Sequence, residues 1–483
     1  MFQELETKWE VPAARKRCEW VVEQTDVRDR HKPPEVLKGE YAIYTSSVNN
    51  FYRGTAHLFW HDFVNNGWGN FDLSDLGITT TLADGSPIER TSTWTWIMGD
   101  QHLSNFGAWR NRHGDIVFGV NDFDESTIFD FQMDIWRLAV SIYNHALSND
   151  LGEAKAEAAV LTFTNTYVRT IMDYVNNDRA ETFEINQDTS KGKLTKFLSD
   201  VDSKRAQHLQ IKRYTEVGKG GQRRFIKDKD TNLEPVTDEE EKSIRDAFTR
   251  LRYGATMQKV GWRVKKWKDA DFAVLDVARR VESGVGSYGV QRYYVLLAGD
   301  DALLEESGGV ILDVKQQPTP SVRRVLDEDD LAWYQTMFND NEAMRVVEAQ
   351  RQLTSYTDPY VGWVELNNSA FAVRQRSPWK ASMDLGVLNT YAEFAQFVTQ
   401  IAVITATSHT RGSVGKAPGT FKEVIHAALG PQYARATWGV SVSMVAAAYR
   451  KQVQEDFECF REYVDSLRAV PSITAELMAN STS

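Results

Sequence analysis

The chain has 483 residues, 42% hydrophobic and 25% charged, with a formal net charge of −11. That length exceeds one simple core and implies two or three packed subregions of ordinary globular composition. The acidic balance argues against a polyanion-binding surface, so nucleic acid is not an expected partner. No apolar run approaches the roughly 18–20 residues of a membrane span, so no membrane is expected either.

The opening MFQELETKWEVPAARKRCEW carries acidic residues at once and lacks the apolar centre of a signal peptide. Cys18 and Cys459 are the only cysteines and stand far apart in sequence. A disulfide framework is therefore not expected, and a reducing cytoplasm is the expected location.

In chain order, FYRGTAHLFWHDF (51–63) has aromatics at helical spacing and predicts an amphipathic helix. STWTWIM alternates β-branched and aromatic residues and predicts a strand leading into GDQHLSN. NFGAWR and DIVFGVND predict two strands joined by the NRHGD turn. FDFQMDIWRLAVSIYNHAL then has apolar residues at i, i+3, i+4 and i+7, a buried-face helix, and residues 153–176 predict another. From about 186 to 268 the chain is highly charged and reads as a helical insertion with mobile loops. VQRYYVLL, GGVILDVKQQ and AFAVRQRS predict strands, EAMRVVEAQRQL a helix, and everything after Leu388 helices. These readings divide the chain at 1–185, 186–270, 271–386 and 387–483. The expected class is α+β. No fixed-period repeat is present.

The chemistry concentrates in two places. Phosphoryl transfer needs positioning, Mg²⁺ and a group aimed at the attacking hydroxyl. Protein kinases place an Asp base five residues before a metal-binding Asn, and a second metal-binding Asp after a short hairpin. Asp100 and Asn105 have that spacing, and Asp122 in NDFD follows the predicted hairpin. The hard oxygens of Asn105 and Asp122 suit Mg²⁺. Asp124 stands as a further ligand or as a group orienting the others. His113–Gly114–Asp115 has no Asn and DFD at the required spacing downstream, so it reads as a turn and the base is assigned to Asp100. His57 and His61 lack the intervening glutamate and third ligand of a zinc site.

The second place comes later. Gly284, Gly286 and Gly289, with Ser287 between them, form G-x-G-x-x-G in a strand–loop–strand setting, which lets backbone approach phosphate. Lys315, on the strand that follows, fits the lysine that contacts nucleotide phosphates. Glu348 in RVVEAQRQL is expected to hold it, with Glu342 in reserve. In ordinary kinases these parts precede the catalytic loop. If both sets serve one site, the expected fold is a two-lobed protein-kinase-like fold in circularly permuted order, which is tolerable because a core depends on contacts rather than chain order.

The phrases FYRGTAH, GDQHLSNFG, NDFDES, GVGSYGVQRYYVLL, LDVKQQPTPS, RVVEAQRQL, FAVRQRS and ATSHTRG resemble a mainly bacterial group known as domain of unknown function 2252. The resemblance covers most of the chain and implies a protein-kinase-like fold without naming a substrate. Arg53 and Arg374 in these phrases, with Arg137 in FDFQMDIWRLAVS and Lys380 just after FAVRQRS, stand as phosphate contacts or as structural groups, with Asp130 or Asp134 as ion-pair partners. The expected function is ATP- and Mg²⁺-dependent phosphotransfer to a small-molecule acceptor, with adenine near Arg374–Arg376. Nucleotidyl transfer on the same scaffold and a non-catalytic ATP-binding regulator are the alternatives. A metal hydrolase built on Asp122, Asp124 and the histidines is a weaker rival. The sequence does not specify the oligomeric state.

Overall fold

A computed structural model describes residues 14–65, 68, 81–82, 85–202, 206–260, 267–281, 290–299, 309–416 and 420–469. The glycine loop, with Gly284, Gly286, Ser287 and Gly289, lies outside these residues.

The chain begins with helices α1 (Ala14–Asp29), α2 (Pro34–Tyr44), α3 (Val48–Gly54) and α4 (Ala56–Val64). The single helix expected over 51–63 is thus two. The helix breaks at Thr55, which leaves helical geometry at φ −123°. Gly54 is needed there because a Cβ would sit 2.0 Å from the Tyr44 ring.

Strand β1 (Trp94–Ile97) leads into the GDQHLSN turn. The hairpin of β2 (Phe106–Arg110) and β3 (Ile116–Val120) follows, and β4 (Thr127–Asp130) returns to pair antiparallel with β1, Trp94 opposite Asp130. Asn111 closes the hairpin turn by accepting from the backbone N–H groups of His113 (2.9 Å) and Asp115 (3.0 Å). The HGD phrase is therefore a turn, because an asparagine side chain can mimic backbone there.

Helices α5 (Gln132–Ser148), α6 (Glu153–Tyr174) and α7 (Arg179–Thr182) come next, then β5 (Ile185–Asn186), which adds to β3. The charged stretch carries helices α8 (Lys193–Asp202), α9 (Ala206–Tyr214), α10 (Asp238–Ala247) and α11 (Tyr253–Val260). It also carries strands not expected there: β6 (Thr215–Val217), β7 (Arg223–Phe225) and β8 (Leu233–Glu234). β8 pairs with β9 (Val274–Arg280) and so joins the main sheet.

That sheet has six strands in the order β12-β13-β11-β10-β9-β8, all antiparallel. Its members are β9, β10 (Arg292–Leu297), β11 (Val310–Gln316), β12 (Gly362–Leu366) and β13 (Ser369–Gln375), besides β8. Helices α12 (Glu328–Phe338) and α13 (Glu342–Leu353) fall between β11 and β12. One face of the sheet buries Val277, Val295, Leu312, Val314 and Val373 against α10, α11 and α13. The other buries Tyr294, Leu296 and Ile311 against Ile211, Tyr214 and Phe225. Cover on both faces explains why VILDV reads as a continuous apolar run broken by one aspartate.

The chain closes with α14 (Tyr391–Lys416), α15 (Thr420–Leu429) and α16 (Gln432–Ala469). These pack with α5, α6 and β1 into the largest core, where Phe131 stacks on Tyr167 at 5.9 Å and meets Trp438 at 6.0 Å. Each such fully buried side chain contributes about 1.5–3 kcal/mol. No described helix is long and apolar enough to cross a membrane.

One expectation is overturned at the ends of the fold. α1 lies along α16, and Cys18 and Cys459 are joined in a disulfide with Cα atoms 5.3 Å apart. Sequence distance concealed their proximity. Beside the bond, buried Arg17 donates to Asp62 (2.6 Å twice) and to Asp456 (2.9 and 2.6 Å). Two carboxylates around one guanidinium make this junction strongly held, since removing one partner of a buried pair costs about 3–5 kcal/mol.

Candidate functional site

The site is built on the turn that leaves β1. Gly99 has φ +72°, and a Cβ there would lie 2.1 Å from the carbonyl oxygen of Glu125. Only glycine permits that conformation and that approach. Asp134, wholly buried at the start of α5, accepts from the N–H groups of Met98 (2.7 Å) and Gly99 (2.9 Å). His409 of α14 stands 3.2 Å from the same carboxylate and is in turn bonded to the Tyr167 hydroxyl at 2.8 Å. The backbone carrying Asp100 is thus fixed by a chain of groups from three helices.

Asp100 faces Arg137, whose Nε donates to Oδ1 at 2.5 Å. Arg137 is fully buried, and its other bond runs to the Tyr52 carbonyl at 2.9 Å. It pairs with neither Asp130 nor Asp134. Burial pushes the Asp100 carboxyl up to about 7, against the pull of Arg137 and with added repulsion from Glu125 and Asp122. Its value sits where a general base at neutral pH is useful. The Asn105 amide donates to the Asp100 carbonyl at 2.8 Å, so the predicted Asp–Asn pair is one local unit.

The NDFDE segment between β3 and β4 meets the main sheet here. Lys315 of β11 donates to the Asp124 carboxylate across 191 residues of sequence. Burial opposes the charge on Asp124, but Lys315 outweighs it and holds the carboxyl below its usual range. Arg345 of α13 donates to the carbonyls of Asp124 (2.8 Å) and Ser126, and its Nε pairs with Glu342 at 2.6 Å. The Ser321 N–H donates to Glu125 at 2.6 Å. Burial leaves the Glu125 carboxyl above its ordinary range despite that bond.

Two assignments for the lysine partner fail. Glu348 is bonded to Arg351 at 2.9 Å, one helical turn along α13, on a partly exposed surface. Glu342 is taken by Arg345, Arg323 and the Tyr334 hydroxyl. The face of α13 that turns toward the site presents Arg345 instead of a carboxylate. The lysine draws its counter-charge from the NDFD segment, and α13 holds that segment by its carbonyls.

Asp100, Asn105, Asp122, Asp124 and Glu125 all line one cavity of about 480 Å³, within the usual range for small-molecule sites. It is also lined by Arg28, Lys32, Glu40, Arg53, His57 and Arg324, with Arg28 paired to Asp29 at 2.5 Å and Lys32 to Glu40 at 2.8 Å. Burial, reinforced by Arg28, holds His57 well below its ordinary value. Burial with Arg53 and Arg137 does the same to His102, so both imidazoles are neutral at pH 7. His57 Nε2 and Arg53 Nε are buried without a hydrogen-bond partner among the described residues.

The donor set also tests the metal. Among the described residues no group of three or more His, Cys, Asp or Glu side chains gathers as a metal cage. Asp124 is engaged by Lys315, Asp100 by Arg137, Glu125 by the Ser321 N–H and Glu40 by Lys32, which leaves Asn105 and Asp122 as the hard-oxygen donors among the described residues lining the cleft. That sparse set fits Mg²⁺, which keeps several waters and completes its shell with substrate phosphates. It does not fit a zinc-type hydrolase, which needs three firm protein ligands.

Sequence reasoning brought together Asp100, Asn105, Asp122, Asp124 and Lys315, and all five fall within this region. It missed the Asp134–His409 support and the role of Arg345. Only the phrases MDIW, ATSHT and EAMRVV carried a trace of either.

What the fold and cleft define is a mixed α+β protein with small antiparallel sheets and a deep charged cavity between the six-stranded sheet and the helical core. The chain belongs to the family of uncharacterised proteins conserved in bacteria, DUF2252, whose model matches residues 32–463. It matches no curated protein and no solved structure.

Proposed function

We propose that this protein is an ATP- and Mg²⁺-dependent phosphotransferase acting on a small hydroxylated acceptor, built on a protein-kinase-like fold in permuted order. The observation that carries the reading is the meeting of Lys315 with Asp124 in the cavity that Asp100, Asn105 and Asp122 line. Those are two distant segments with the residue types that kinase sites use for phosphate, metal and acceptor.

In this reading Lys315 binds nucleotide phosphate, and Asp100 orients the acceptor hydroxyl. The hydroxyl oxygen bonds to the γ-phosphorus as the bond to the ADP oxygen breaks, and the hydroxyl proton passes to Asp100. Arg137 keeps Asp100 ionised enough to accept it. Bound Mg²⁺ would neutralise charge on the phosphates, held by Asn105 and Asp122. Arg53 and Arg324, which also line the cavity, favour an acceptor that carries negative charge. Losing the base should lower turnover by about 10²–10⁴-fold.

Thermal stability with ATP, with and without Mg²⁺, tests the reading. Ligand at about 100 times its dissociation constant stabilises by about 2.7 kcal/mol. A rise in melting temperature that requires Mg²⁺ and disappears in Lys315→Met is expected, followed by transfer of label from γ-labelled ATP into a metabolite extract. Absence of any shift at millimolar ATP overturns it.

A further inference from the structure

Side chains alternate along a strand, so Asp313 and Lys315 emerge from the same face of β11. Beneath the sheet, on the Asp313 side, lies a second cavity of about 270 Å³, bounded by β10, β11, β13 and the segment after β13. It is lined by six Lys or Arg side chains and only two carboxyls.

The carboxyls do not balance the cations. Asp313 is consumed by Arg292, which grips it at 2.6 and 2.5 Å, while Arg374 reaches it only at 3.8 Å. Asp358 accepts from the N–H groups of Tyr360 (2.9 Å) and Gln375 (3.0 Å), and burial pushes its carboxyl up to about 6. Arg376 is oriented by neutral groups, the hydroxyls of Tyr294 (2.8 Å) and Tyr214 (3.1 Å). The Lys380 ammonium, at the cavity rim, has no hydrogen-bond partner among the described residues. Arg374 beside it brings it down to about 7, against the opposing pull of Asp122 and Asp313.

Arg292, Arg280 and Arg110 are held by Asp313 and by backbone carbonyls. A neutral ring placed here would nonetheless leave Arg374, Arg376 and Lys380 with no carboxylate of their own, which is unfavourable where the groups are desolvated. An anion removes that cost, and guanidinium forks match phosphate oxygens. The volume is also below the usual 300–1,000 Å³ of a complete small-molecule site, so it suits one group of a larger ligand or a compact ligand. We infer that this cavity is an anion subsite that takes a phosphate-bearing group, and that a purine ring does not occupy it. The inference replaces the expected adenine position near Arg374–Arg376 and uses no group given a role under the proposed function, so it survives or fails separately from that reading.

Titration calorimetry of the full chain with inorganic tripolyphosphate, without Mg²⁺ and at low salt, tests it. Binding should weaken about tenfold or more in the Arg374→Gln/Lys380→Gln double variant and by less than about threefold in Arg351→Gln, a surface group away from both cavities. No binding to the wild type, or a loss in Arg351→Gln equal to that in the double variant, overturns the inference. Competition on the wild type keeps the test valid if the double variant does not fold. Millimolar adenosine should leave tripolyphosphate binding unchanged, and displacement by adenosine marks a base pocket and overturns the subsite. ATP arms separate the sources. If ATP displaces tripolyphosphate, the group is a nucleotide's own phosphate tail, and if both bind together, it belongs to a separate phosphorylated compound. Either result supports the site.

Discussion

Asp100→Asn offers a test of the central carboxyl that requires no knowledge of substrate. In the folded protein burial raises this group from the ordinary 3.8 to about 7. A carboxyl raised on folding holds its proton more tightly in the native state than in the unfolded chain. Between about pH 4 and 7 the native state therefore binds more protons, and stability falls as pH rises through that window. About 3 pH units at 1.36 kcal/mol each give a loss of about 4 kcal/mol from this residue. Asparagine keeps the shape and an acceptor for Arg137 but cannot titrate. In the variant this position therefore contributes nothing that varies over this pH range. The slope is the readout. Urea unfolding of both proteins from pH 4 to pH 8 should show the wild-type advantage shrinking by about 4 kcal/mol as pH rises. A flat difference would refute the burial argument. A growing advantage would mean that Arg137 dominates and that Asp100 is an ordinary ionised partner, unsuited to take a proton at neutral pH.

Glu348→Ala should leave ATP-induced stabilisation intact and change unfolding free energy by less than about 1 kcal/mol, because its Arg351 contact is a surface pair. A variant that lost ATP binding would restore the glutamate to the lysine. Arg345→Met should cost about 3 kcal/mol in denaturant unfolding, since it removes one of the two cations on buried Glu342 and takes the donor from the carbonyls of Asp124 and Ser126. Gly99→Ala should abolish nucleotide turnover or fail to fold, because the added methyl meets the Glu125 carbonyl at 2.1 Å. A stable, active variant would show that the turn adapts. Reducing the Cys18–Cys459 bond, which closes a loop of 441 residues, should lower the melting temperature. The chain-entropy model sets the loss at about 6 kcal/mol. Equal melting curves with and without reductant, in protein whose bond is verified by mass, would contradict that.

The sequence revealed local structure well where one period ruled. The apolar spacing of 132–148, the hairpin around Asn111 and the strand VILDVKQ all appear as read. It failed where distant surfaces decide. Position 54 needs glycine because Tyr44 occupies the space of a Cβ, and the helix breaks one residue later at Thr55; nothing in FYRGTAH announces either. Cys18 meets Cys459 because α1 runs along α16. The charged stretch hid β8, a two-residue strand whose pairing with β9 comes from the sheet edge rather than from its own pattern. Within the site, residue types and spacing located the aspartates and Lys315. They could not assign partners, because a helix such as α13 offers several charged residues and only packing selects the one that faces inward. Glu348 was the natural choice by type, and Arg345 was selected by geometry.

The Lys315–Asp124 contact has a thermodynamic consequence for ligand entry. Before anything arrives, the two charges already cancel each other. Under the proposed function, a nucleotide enters as a complex of anion and divalent cation: phosphate takes the ammonium, and the cation, held by Asn105 and Asp122, offsets the charge that Asp124 regains. The event is then an exchange of partners that leaves the local charge balance nearly unchanged. Metal-free nucleotide would have to part the lysine from the acid while adding uncompensated negative charge beside Asp100, Asp122 and Glu125. The cleft would thus discriminate between the two forms by its resting electrostatics alone.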